Sequence, residues 1–149
     1  MAGLPDSAIA RGRRGARVRQ EVLGKAYTAA TRKAGQADPF MQHFIDFTQQ
    51  QCWGYTWLRP GLTRKQRSML NLAMLTALAR WGELEVHTRG ALNNGVTEDE
   101  IAEVILQAAV YAGIPVAAEG FRRANSVIKT VRAEKAAPRV RRKRKAARK

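Results

Sequence analysis

The chain has 149 residues, 45% of them hydrophobic, and a formal charge of +15 from 27 Lys+Arg against 12 Asp+Glu. That size and apolar content suit one compact domain and exclude wholesale disorder. No apolar run approaches the ~18 residues needed to span a bilayer, the N-terminus lacks the apolar stretch of a signal peptide, and a single cysteine, Cys52, excludes an internal disulfide and suits a reducing cytoplasm.

The charge sits at the two ends. Residues 1–19 carry a net +4 and residues 132–149 a net +9, while 20–131 carry only +2. The first ten residues read as a flexible N-terminus, 11–133 as the folded helical domain and 134–149 as a disordered basic tail, because a block of like charges repels itself and buries nothing.

Arg11 to about Gly35 has helical composition, with Val18, Val22, Ala26 and Ala29 at helical spacing. Asp38-Pro39 is a helix start, since Asp caps free amides and Pro loses nothing at the first helical position. Phe40, Phe44 and Phe47 then form an i, i+4, i+7 packing stripe, and the chain turns at Pro60-Gly61. Thr63-x-x-Gln66 and Thr97-x-x-Glu100 both fit a capping box. The helix opened by Thr63 runs through MLNLAMLTALA and is apolar nearly all round, the pattern of a helix buried between neighbours or in a subunit interface. Gly82 interrupts before ELEVHTRGALNN, a helix closed by Asn94-Gly95. The next has its stripe at Ile101, Val104, Ile105, Ala108 and Ala112 and ends near Gly113-Ile114-Pro115; a last helix runs from about Val116 to Arg132. No stretch alternates like a strand, so the fold class is all-α.

The sharpest pair of polar residues is Glu83 and His87. At i, i+4 on a helix they share a face, and a carboxylate beside an imidazole prepares an acid/base group near neutral pH; the bland reading is a surface helix pair. His43 has Asp46 at i+3 but stands among Phe40, Phe44 and Phe47, which favours a packing role. Cys52 has no second thiol in a CxxC and reads as a small buried hydrophobe, or else as a reactive thiol. Arg59, Arg64, Arg67, Arg80 and Arg89 flank the apolar helices, and any of them could hold an anion through its planar fork or simply be solvated. A Gly-rich phosphate loop, HExxH, GxSxG and a Cys/His cluster are all absent, so no metal ligand set is predicted.

Taken in order, W-G-x-x-W-x-R-P-G-L from Trp53, the R-S after it, E-L-x-x-H from Glu83, N-N-G-V-T-x-x-E-I from Asn93 and Y-A-G-x-P from Tyr111 resemble the carboxymuconolactone decarboxylase family, over roughly Arg17 to Val131. The resemblance implies an all-helical subunit related to alkylhydroperoxidase-type proteins, a homo-oligomer (hexamer or trimer), no cofactor, and decarboxylation of 4-carboxymuconolactone, or of a related lactone carboxylic acid, in aromatic-acid breakdown. Glu83 and His87 fall on the family's E-L-x-x-H, which makes His87 the expected proton donor and Glu83 its orienting partner. Arg59 and Arg67 are the expected holders of the substrate's second carboxylate; Trp53, Trp57 and Tyr111 either wall the pocket or belong to the core. In the family's redox branch a C-x-x-C would fall on Arg80 and Glu83, so the dithiol cycle is not inherited. Tyr55 stands where decarboxylases of the family often have an acidic residue, a departure expected to alter specificity.

Two other readings compete with this one. Cys52 could act alone as a redox thiol through a sulfenic acid resolved by an external thiol. The tail, with eight Lys/Arg after Pro138, could bind nucleic acid or another anionic surface non-specifically, although it has no aromatic to stack on bases. The enzyme reading predicts unchanged turnover when the chain is cut at Pro138, the binder reading lost affinity.

Overall fold

The computed structural model describes residues 7–36 and 38–146, with side chains of residue 34 and residues 137–146 excepted. It is helical throughout: α1 (Ala8–Leu23), α2 (Lys25–Gln36), α3 (Pro39–Phe47), a π-helical segment (Thr48–Trp53), a 3-10 turn (Thr56–Leu58), α4 (Arg64–Ala77), α5 (Trp81–Asn93), α6 (Glu98–Ala112) and α7 (Ile114–Ala146). No strand occurs among the described residues, and no helix among them is long and apolar enough to cross a membrane. The flexible start expected for residues 1–10 lies outside the described residues up to residue 6. The disordered tail expected for 134–149 lies outside them for its side chains from 137 and wholly from 147.

Two compact units divide the chain: residues up to Ser68 with Asn93–Gly95, and Met69–Leu92 with residues from Val96 onward. In the first, the stretch of helical composition from Arg11 to about Gly35 forms two helices. Gly24, at φ +91°, ends α1 in a conformation that residues with a Cβ rarely adopt, and α2 starts at the next residue. Val18 and Val22 accordingly stay buried, while Ala26 and Ala29, beyond the break, are exposed. Asn93 Nδ2 donates to the Val22 carbonyl at 2.9 Å, satisfying one of the acceptors that a helix end leaves open.

α3 begins as the sequence predicts, with Pro39 in its first turn and the Asp38 carboxylate accepting from the Phe40 N–H at 2.9 Å. Its aromatic stripe does not pack. Phe40 is 82% exposed, and Phe44, Phe47 and His43 are also exposed. α1 instead packs against the π-helical segment, backbone to backbone. A Cβ on Gly15 would lie 1.9 Å from the Gln49 carbonyl oxygen, and one on Gly54 2.2 Å from that of Arg11.

The second unit is built round Leu72, Leu84, Ile101 and Ile105, with Ala91, Ala109, Ala117 and Ala124 packed among them. Fully burying a Leu or Ile side chain contributes roughly 1.5–3 kcal/mol each. Both capping boxes form: the Thr63 N–H donates to Gln66 Oε1 at 2.9 Å and the Thr97 N–H to Glu100 Oε2 at 2.8 Å, and each hydroxyl accepts in return. Gly95 (φ +80°) and Gly113 (φ +103°) close α5 and α6 where the sequence places the stops.

Three expectations shift. Gly82 lies inside α5, and the break before that helix is made by Ala79, whose φ of +53° is the sole positive value for a non-glycine among the described residues. α7 starts at Ile114 rather than Val116, and its backbone continues past Arg132. α4 buries Ser68, Leu72 and Thr76 on one face but leaves Leu70, Met74 and the following Leu78 exposed, the last by 68%.

Candidate functional site

α5 carries Glu83 in its first turn and His87 one turn later. Glu83 is exposed, and its Oε1 is held by the Arg80 guanidinium at 3.2 Å. Its own backbone N–H and then Arg80 keep the carboxyl below the usual range, as expected of an acid at a helix N-terminus. His87 is half-buried. Burial pushes its imidazole below the ordinary 6.5, and the charge of Glu83 opposes this without overcoming it. Glu83 therefore acts on His87 through its field while its oxygen is engaged by Arg80.

The spacing of α5 did not reveal the third member of the group. Asn71, on α4, places its amide Nδ2 3.3 Å from His87 Nδ1. The signal was present in the sequence: a primary amide inside the apolar run MLNLAML needs a polar partner once the helix is packed.

The lowered His87 value has a consequence for stability. Between the folded and the ordinary pKa the unfolded chain binds more protons at this ring. The contribution of the neutral ring is thus complete above the ordinary 6.5 and is lost as the pH falls through the depressed folded value. His87→Gln is expected to flatten the acid limb of a Tm-against-pH curve relative to the unchanged protein, as followed by circular dichroism. An identical acid limb in the two would contradict it.

The arginines, indistinguishable in the sequence, separate by partner. Arg64 pairs with Glu21 at 2.7 Å, Arg80 with Glu83, and Arg89 grips Glu134 through two bonds of 2.7 and 3.0 Å. Arg59 and Arg67 have no carboxylate partner among the described residues. Arg59 donates to the Tyr55 hydroxyl at 3.1 Å and lies over the Tyr55 ring. Arg67 is half-buried and donates to the Arg59 carbonyl at 2.9 Å, while its buried Nε has no hydrogen-bond partner. A half-buried guanidinium that is matched to a carbonyl and to no carboxylate among the described residues keeps donor capacity for an anion.

Trp53 and Trp57 stack with centroids 4.9 Å apart and are each 6% exposed, so their faces are spent on packing within the first unit. Tyr111, on α6, is 83% exposed. Asp46, expected beside His43, accepts instead from Gln42 Nε2 at 2.7 Å. Cys52 is half-buried. Burial raises its thiol above the ordinary value, outweighing the Trp57 hydrogen bond and the Arg19 charge, which works against thiolate formation. Among the described residues no group of three His, Cys, Asp or Glu is placed to hold a metal ion. A concavity of about 360 Å³ in the first unit is lined by Arg19, Arg32 and Lys33 among others, and one of about 380 Å³ in the second by Phe121, Arg122 and Asn125 among others. Neither is lined by His87 or by the other candidate residues.

Comparison with known proteins bears on this arrangement. Residues 40–126, which contain Glu83, His87, Asn71, Arg59 and Arg67, match the carboxymuconolactone decarboxylase family. The chain is 41% identical over 117 residues to 4-carboxymuconolactone decarboxylase of Acinetobacter baylyi, covering 78% of this chain and 86% of that protein. It is 48% identical over 101 residues to nitrosuccinic acid decarboxylase of Metarhizium robertsii, covering 68% and 69%. The protein belongs to the carboxymuconolactone decarboxylase family.

Proposed function

We propose that the protein is a cofactor-free decarboxylase that converts 4-carboxymuconolactone to the enol lactone of 3-oxoadipate and CO2, with His87 as the acid. In this substrate the departing carboxylate sits at the far end of a C=C conjugated with the lactone carbonyl. The electron pair left by CO2 flows into that carbonyl as a dienolate, and protonation next to the carbonyl gives the product. A dianion thus loses CO2, takes up one proton and becomes a monoanion. The protein has to hold the carboxylates, stabilise the developing oxyanion, commonly the largest contribution in such sites, and deliver the proton.

One observation carries this reading: a half-buried imidazole kept neutral by its surroundings and biased by a fixed carboxylate one helical turn away. Burial disfavours the imidazolium until an anion arrives. A bound dianion reverses the balance, so the acid is formed when there is substrate to protonate. Arg67 and Arg59, left without carboxylate partners, are the residues proposed to hold the second carboxylate. Arg67→Met is expected to raise KM by about tenfold or more with a smaller change in kcat, the loss of a hydrogen bond to a charged group being about 1.5–3 kcal/mol.

The 48% identity to the nitrosuccinic acid decarboxylase favours a second substrate reading. Nitrosuccinate also carries two carboxylates and its own electron sink, because loss of CO2 beside the nitro group leaves a nitronate. Purified protein is therefore to be assayed with both acids, by ultraviolet absorbance and CO2 release. Turnover of the lactone supports the first reading, turnover of nitrosuccinate alone the second, and turnover of neither removes both. Cys52→Ser is expected to leave turnover unchanged in the same assay, and lost activity would restore the redox-thiol alternative. The proposal includes a homo-oligomer, supported by the exposed Leu70, Met74 and Leu78.

A further inference from the structure

We propose that Asn71 is a positioning residue that sets the tautomer of His87, holding the ring proton on Nε2 and the lone pair on Nδ1. The inference rests on the reading of His87 as the acid, but the geometry behind it is separate. An amide nitrogen donates and cannot accept, so the orientation with Asn71 Nδ2 3.3 Å from His87 Nδ1 pairs with the tautomer in which that ring nitrogen is unprotonated. In a neutral imidazole the proton then lies on Nε2. The contact joins α4 to α5, with Asn71 and His87 both in the second unit, and is flanked by the fully buried Leu72 and Leu84. Apolar packing next to both residues restricts the freedom of ring and amide to turn independently.

The choice of an amide has a mechanistic meaning. When His87 takes up a proton it takes it at Nδ1, the ring nitrogen that carries no hydrogen in this tautomer. Asn71 can then turn its amide and accept from Nδ1–H through Oδ1, so the ring keeps a partner in both protonation states. The proton given to the dienolate leaves from Nε2. One proton enters at Nδ1 and one leaves from Nε2, and the ring ends as the Nδ1–H tautomer until it exchanges back. A carboxylate at this position could only accept and would favour Nδ1–H at rest. A leucine would do neither.

The test reads the tautomer directly. The chain has two histidines, so a His43→Gln background leaves one imidazole to observe by long-range ¹H–¹⁵N NMR at a pH where the ring is neutral. The Nε2–H tautomer is expected with Asn71, a switch to Nδ1–H in Asn71→Asp, and loss of the preference in Asn71→Leu. For the accepted substrate, kcat is expected to fall about 10- to 100-fold in Asn71→Leu, with KM changing by less than about threefold, as for a misplaced catalytic group. Asn71→Asp is nearly isosteric and keeps the comparison available should the leucine variant fail to fold. A tautomer that is Nδ1–H in the starting protein, or that neither variant moves, overturns the proposal, as does an unchanged kcat with a changed tautomer. The spectrum needs no substrate, so a failed decarboxylase assay leaves the tautomer measurement to decide the role of Asn71 by itself.

Discussion

His87→Ala is expected to lower kcat for the lactone acid by about 10²–10⁴-fold, the range over which a positioned general acid contributes. KM should change far less, because the proposal assigns the carboxylates to Arg59 and Arg67 rather than to this ring. The variant removes a half-buried ring from one face of α5 and leaves the fully buried core of the second unit untouched, so its helical content and assembly should match those of the starting protein. The starting protein adds a signature of its own. The acid must be protonated, so kcat/KM declines as the pH rises, with its break below the ordinary imidazole value of 6.5 because burial favours the neutral ring. In kcat alone the break moves upward, since the bound dianion favours the imidazolium. Full activity in His87→Ala would remove the ring from the mechanism, and coincident breaks in the two profiles would remove the coupling of protonation to binding.

Gly15→Ala and Gly54→Ala are expected to destabilise the first unit severely. Their added methyl groups would meet backbone, at 1.9 Å from the Gln49 oxygen and 2.2 Å from the Arg11 oxygen, and backbone cannot rotate away as a side-chain tip does. Overpacking of this kind typically costs about 1–3 kcal/mol, and the values here belong at or above the top of that range. Gly82→Ala provides the contrast. It lies inside α5 with nothing within 4 Å of the new Cβ, so it should stabilise the helix by roughly 0.5–1 kcal/mol. Urea unfolding of the three variants compares them directly. A Gly15→Ala protein as stable as the starting one would mean that α1 and the π-helical segment do not approach as closely as the structure has them.

What the sequence disclosed was local. Asp38-Pro39, the two capping boxes and the glycines at 95 and 113 act within a few residues of chain, and each appears in the fold where the pattern placed it. What it hid depended on distant partners. Arg64, Arg80 and Arg89 look like Arg59 and Arg67 until Glu21, Glu83 and Glu134 are seen to neutralise the first three. Phe40, Phe44 and Phe47 keep perfect helical spacing, yet spacing cannot say whether anything lies opposite them. The Glu83–His87 pair was legible because both residues are on one helix. Asn71 was not, because its contact crosses from α4 to α5 and only the oddity of an amide in an apolar run announced it. The split at Gly24 escaped notice because a glycine within helical composition marks a break only when φ turns positive.

Ala79 holds a left-handed backbone conformation that costs an L-residue about 1–2 kcal/mol more than it would cost glycine. Its N–H is tied to the Thr76 carbonyl at 3.0 Å and that of Arg80 to the Leu75 carbonyl at 2.9 Å, so α4 is sealed at the point where α5 is about to begin. The corner works as a loaded latch. The two backbone hydrogen bonds close it, and a methyl group at residue 79 narrows the range of directions in which the chain can leave it. The first residue beyond this corner is Arg80, whose guanidinium lies 3.2 Å from the Glu83 carboxylate. The arginine that engages Glu83 is thus placed directly after the one strained non-glycine backbone position among the described residues.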